Sequence, residues 1–126
     1  MQRLIFWILT IGWGYYTWYL TTIPDFHPSS DTLTSWLLSN GGHFVFFGIL
    51  CVLLNLALYT KNQLNKINIL PLLLVSFYGM VIEFVQRGIP GRSADPIDWT
   101  LDTLGALIFL HLFKKIRAGH KVAKTS

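Results

Sequence analysis

Residues 4–22, 43–60, 69–87 and 96–113 form four apolar runs joined by short, turn-rich segments. Each run has the length a helix needs to cross a hydrocarbon core of about 30 Å. Little of a 126-residue chain then remains for anything else. The pattern predicts a single all-α domain: a bundle of four transmembrane helices followed by a basic tail at 114–126. Composition agrees. The chain is 52% hydrophobic and 13% charged, about half the charged fraction of an ordinary soluble domain. The one cysteine, Cys51, lies within an apolar run. It excludes an internal disulfide framework and reads as a small core residue.

The first run follows Arg3. A cleaved signal peptide would need a small-residue site of the Ala-x-Ala kind, and the first alanine is Ala57, so the run is read as a retained span. Trp13, Tyr15, Tyr16, Trp18 and Tyr19 crowd its far half, as amphipathic rings do at the headgroup level. Residues 23–42 are expected as a loop, with Pro24, Pro28, Asn40, Gly41 and Gly42 as turn residues. Ser30 or Asp31 would cap a short helix over Thr32–Leu38. Pro71 suits the first turn of the third run, and Asp95-Pro96 reads as N-cap and first helical residue of the fourth. The tail is expected to fray.

Charge sorts by side. Arg3, Lys61, Lys66, Lys114, Lys115, Arg117, Lys121 and Lys124 fall at one end of such a bundle, Arg87 and Arg92 at the other. Lysine and arginine stay inside, which predicts cytoplasmic N and C termini. All the acids (Asp25, Asp31, Glu83, Asp95, Asp98 and Asp102) fall at the outer end. The formal net charge of +4 therefore reads as membrane topology, with weak attraction to anionic headgroups. It does not read as nucleic-acid binding. The expected partner is the lipid bilayer.

The stretch Glu83–Asp102 carries acid into the ends of two apolar runs. A charged residue on a spanning helix faces the bundle interior or a water cavity, because lipid cannot solvate it. Glu83, Gln86 and Arg87 share one helical face at i, i+3 and i+4, and Gly79 and Ser76 continue it. Asp98, Asp102 and Gly105 share another. The small residues allow close helix approach. The two acidic faces are expected to meet, with His43 at the same depth and Arg92, in the Pro90-Gly91-Arg92 loop, reaching between them. The candidate ligand-binding residues are His43, Glu83, Gln86, Arg92, Asp98 and Asp102, and the candidate catalytic bases are His43 and Glu83. A hard divalent cation suits carboxylates, but the spacing does not demand one, and no metal or cofactor is assigned. There is no glycine-rich phosphate loop, nucleophile elbow or zinc-type spacing. The plainer alternatives are helix capping for Asp95 and Asp98 and a structural clamp for Glu83 with Arg92.

One set of residues carries a family likeness. It comprises His43-Phe44 with Phe47-Gly48, then Tyr78, Glu83 and Gln86 in a Tyr-x-x-x-x-Glu-x-x-Gln spacing, then Pro90-Gly91-Arg92, then Asp98, Asp102 and Gly105. In order and spacing these resemble the VanZ family over about residues 20–113. The resemblance implies a small bacterial membrane protein, an outer-face role near cell-envelope chemistry, and a link to resistance against the glycopeptide antibiotic teicoplanin. It implies no particular reaction. The family commonly has Asn where this chain has Asp102, and often an Asp-Lys pair shortly before the histidine, where this chain reads Ser39-Asn40-Gly41-Gly42. The leading expectation is binding of a lipid-linked or envelope component at the outer face. The alternatives are a membrane-embedded enzyme acting on a lipid-linked substrate and a structural membrane protein whose polar cluster only braces the helices. A drug-efflux pump fits poorly, since every acid is biased outward.

Overall fold

The computed structural model describes residues 1–24, 30–64 and 68–125. They form four helices: α1 (Gln2–Thr22), α2 (Thr32–Leu58), α3 (Leu70–Gln86) and α4 (Pro96–Thr125), with no strand among them. The expected all-α architecture is present. Asp25, Pro28 and Lys66, which the sequence assigned to turns and sides, lie outside the described residues.

Side-chain pairings give the register. Tyr78 Oη donates to Gly14 O (2.6 Å) and Gln86 Nε2 to Thr21 O (2.8 Å), so α1 and α3 run parallel. Ser76 Oγ meets Thr103 Oγ1 at 2.9 Å and Trp99 Nε1 donates to Ser76 O at 3.0 Å, across an antiparallel α3–α4 pair. Trp13 stacks on Phe46 with centroids 5.1 Å apart. Its Nε1 donates to Phe46 O at 2.9 Å, joining α1 to α2. The α2–α4 pair is the most extensively packed. A Cβ on Gly105 would overlap the Phe44 carbonyl group of α2, and one on Gly48 would overlap the Phe109 ring of α4. Only glycine lets these backbones come so close. The apolar core around this crossing comprises Phe47, Leu50, Cys51, Val75, Ile82, Ala106 and Leu110.

Two segments differ from expectation. Residues 32–42 are not a loop with a short helix; they are the first turns of α2. Asp31 caps them, its Oδ2 accepting from the Thr34 hydroxyl (2.7 Å) and backbone N–H (2.8 Å). Those bonds hold its carboxyl below the usual range. The cap is therefore intact at neutral pH and is lost as pH falls through that lowered value. Gly41 and Gly42 each disfavour helix by about 1 kcal/mol, but packing of the adjoining His43 and Phe47 fixes the turn that contains them. The basic tail does not fray either: α4 stays helical to Thr125, since Lys, Arg and Ala are good helix formers and cations suit a helix C-terminus.

Among the described residues, α2 is the one helix long and apolar enough by composition to cross a membrane; α3 is apolar but shorter. Against the four expected spans, α1 carries Thr, Gly, Trp and Tyr in place of aliphatic residues, and α4 carries Asp98, Asp102 and its basic end. Beside the apolar core, large apolar side chains are exposed and several polar ones are buried. Ile8, Ile11, Leu73, Phe77, Phe84, Leu107 and Leu112 are exposed, whereas Thr17, His43, Asn55, Glu83, Gln86 and Asp102 are buried.

Candidate functional site

The polar residues converge where α2, α3 and α4 meet near the start of α4. His43 Nδ1 lies 2.7 Å from Asp102 Oδ1, and both side chains are buried, Asp102 completely. With Asp102 ionised, Nδ1–H is the donor, and the other ring nitrogen is left to act. That nitrogen, Nε2, is 3.8 Å from Asp98 Oδ2, beyond direct hydrogen bonding. Asn40 completes this side. With its amide oriented to suit its neighbours, Nδ2 donates to Asp98 Oδ1 (3.2 Å) and Oδ1 accepts from Trp36 Nε1 (3.1 Å).

Gly79 makes the pair possible. A Cβ there would stand 2.7 Å from Asp102 Oδ2, so the missing side chain of α3 is the space the carboxylate of α4 fills. Glu83 lies one turn further along α3, 7% exposed. His43, Asp98 and Asp102 are all near enough to act on it electrostatically, and the backbone N–H of Asp95 is directed at its carboxylate. Asp95 itself caps α4, Oδ1 accepting from Ile97 N–H at 2.9 Å.

The structure thus brings His43, Glu83, Asp98 and Asp102 together. Gln86 is buried beside them but turns toward α1, where it holds Thr21 O. Arg87, expected on the same face, is exposed, with its guanidinium over the Phe84 ring at 5.9 Å. Arg92 also holds backbone that the sequence did not point to. Gly91, at φ 73°, turns the chain through a backbone conformation that glycine adopts without strain. Arg92 Nε then donates to Ile23 O (3.0 Å) and Nη2 to Leu20 O (2.7 Å). It closes the C-terminus of α1, whose last carbonyls need donors. Burial pushes its guanidinium pKa down, and Asp98 nearby opposes the shift.

Two openings reach the cluster. On the α1–α2 side a cavity of about 170 Å³ is lined by His43, Arg92, Thr17, Thr21 and apolar residues including Phe46 and Phe47. On the α3–α4 side a groove of about 360 Å³ is lined by Glu83, Met80, Phe84, Arg87, Ala94, Pro96 and Trp99. Three buried side-chain atoms here have no hydrogen-bond partner among the described residues: Glu83 Oε1, Gln86 Oε1 and Asp102 Oδ2. All three are acceptors. Among the described residues, no three His, Cys, Asp or Glu side chains are placed to hold a metal ion.

The VanZ/LLP1 family model matches residues 4–117, most of the chain. The chain belongs to the VanZ/LLP1 family. Neither a curated protein nor a solved structure matches it. In this VanZ/LLP1 chain several residues that carry the family spacing meet in space, His43 with Asp102 and Glu83 beside them; Gly105, of the same spacing, and Gly79, outside it, make room. Tyr78, part of the same spacing, ties α3 to α1 and not to the cluster. Asn40 and Trp36 escaped sequence reasoning. The available signal was the i, i+3 relation of Asn40 to His43, which carries meaning only once α2 is known to begin at Thr32.

Proposed function

We propose that this chain is a multi-pass membrane protein whose outer polar cluster binds a lipid-linked or envelope component through the donor groups of its head. The observation that carries the reading is the buried, unpartnered oxygen of Glu83 in a groove flanked by the exposed apolar side chains of Met80, Phe84 and Trp99. A buried acceptor without a donor costs about 1–3 kcal/mol. A ligand bearing hydroxyl or ammonium donors would recover that cost while its apolar part lies along the groove's rim. Gln86 Oε1 and Asp102 Oδ2 offer further acceptors behind it. The many exposed apolar side chains support residence in lipid, where such surface is favourable, and the buried acids face the bundle interior as they do there.

Wild type and Glu83→Gln, purified in mild detergent, should differ in the lipids that mass spectrometry finds retained. The wild type is expected to hold a species that is depleted about tenfold or more in the variant, as loss of a charge-assisted contact implies. Equal retention, with both proteins equally helical, would remove Glu83 from binding. The charge distribution supports cytoplasmic ends. A reporter that works only outside the cytoplasm, fused after Lys124, should stay inactive, and activity there would reverse the orientation. A part in resistance to glycopeptide-type antibiotics rests on the family likeness alone. Teicoplanin susceptibility of cells with and without the chain tests it.

The second reading is enzymatic. A carboxylate held on His43 Nδ1 orients the ring and leaves Nε2 to take or give a proton. Asp98 stands across from that nitrogen. Turnover of the retained lipid by wild type, abolished in His43→Gln with retention intact, is the expected result under this reading. Retention without turnover would leave binding alone.

A further inference from the structure

The end of the bundle opposite His43 holds a second cavity of about 490 Å³, lined by residues that include Arg3 of α1, Leu56 of α2, Lys61 beyond it and Arg117 of α4. Among the described residues no acid lines it, and the acids of the chain stand at positions 25, 31, 83, 95, 98 and 102. Its three cations differ in setting. Arg3 is fixed, Nε and Nη2 donating to Ala57 O (3.3 Å) and Leu58 O (3.0 Å) at the C-terminus of α2. Arg117 is half-buried, with its guanidinium 5.8 Å from the centre of the Phe113 ring. Its Nε is buried and has no hydrogen-bond partner. Lys61 is exposed at the mouth. The remaining wall is partly apolar, with Ile5, Phe6 and Leu56.

Cations gathered around a buried donor without a hydrogen-bond partner call for an anion with acceptor oxygens. The apolar wall calls for that anion to carry a chain. We infer that this cavity is a binding site for an anionic phospholipid, its phosphate held by Arg3, Lys61 and Arg117 and an acyl chain lying against Ile5, Phe6 and Leu56. Basic pockets between helices at the cytoplasmic side recognise phosphate headgroups in this way, whereas basic residues scattered on a surface give only diffuse attraction. The Arg117 fork adds geometric selectivity for phosphate oxygens, and Arg3, held on α2, adds charge. The site is chemically the reverse of the outer cluster, where the unpartnered atoms are acceptors. The inference rests on the reading of the chain as a membrane protein, but not on any ligand at the outer cluster.

Native mass spectrometry tests it. The full chain, purified in non-ionic detergent, is offered equal amounts of phosphatidylglycerol and phosphatidylcholine. Phosphatidylglycerol adducts should predominate, and each of Arg117→Gln and Lys61→Gln should lower them about fivefold, the effect of one basic contact. Lys115→Gln removes the same charge from an exposed position on α4 and should leave them unchanged. Equal adducts of the two lipids, or equal losses in all three variants, would overturn the proposal. So would displacement of phosphatidylglycerol by millimolar inorganic phosphate, which would reassign the cavity to free phosphate. Membrane residence is read separately by cell fractionation, so failure of this site is distinguishable from failure of the membrane reading.

Discussion

Gly105→Val will separate α2 from α4 and cost about 3 kcal/mol or more, the upper range for inserting atoms into a packed interior. The clash is with backbone, the Phe44 carbonyl, so no change of side-chain rotamer can relieve it. The helices must move apart, and His43 and Asp102, which sit on these same two helices, must separate with them. Thermal unfolding of the purified protein should show a melting temperature lowered by many degrees. Any activity or ligand retention should fall in parallel. Gly12→Ala is the matched control. It lies mid-helix in α1 with nothing within 4 Å of a Cβ, and alanine there should stabilise by up to about 1 kcal/mol. If Gly105→Val and Gly12→Ala melt alike, the close α2–α4 crossing does not exist.

The second large effect is expected at the buried pair. His43→Ala should cost about 3–5 kcal/mol, because it leaves the Asp102 carboxylate buried with neither its partner nor access to water. Removing both members, as His43→Leu with Asp102→Leu, should cost much less, since an apolar pair of similar volume often replaces a buried ion pair with little loss. The double-mutant cycle should therefore show strong coupling. Function should respond differently from stability. The double variant is expected to fold and yet to lose any ligand retention at the cluster, while Asp102→Asn should keep most of the fold. Costs that simply add would mean that His43 and Asp102 do not interact.

Much of the site was legible in the sequence because acid in an apolar helix has few places to go. Glu83 and Asp102 had to face inward, and helical spacing put Gly79 and Gly105 on the same faces. The partner of Arg92 was not legible. It holds the carbonyls of Leu20 and Ile23, and backbone groups carry no residue-type signature. The start of α2 was misread for a related reason. Asn40, Gly41 and Gly42 are turn formers by local preference, and packing around His43 overrode them. With the helix begun too late, Asn40 fell in a loop, and its place beside Asp98 was invisible.

The two arginine caps have a consequence for how the chain is made. Arg3 holds the end of α2, and Arg92 holds the end of α1 across a sequence separation of 72 residues. As the chain emerges from the ribosome, α1 is therefore tethered at its beginning when the second helix is complete. Its far end waits until the third helix and the turn at Gly91 have followed. During that interval the last carbonyls of α1 lack the Arg92 donors and depend on others. The mouth of the His43 cavity, which Arg92 lines, takes its final form only when the loop after α3 folds back. The His43 site is thus assembled late, and a chain truncated before Arg92 would form its first helices without ever closing it.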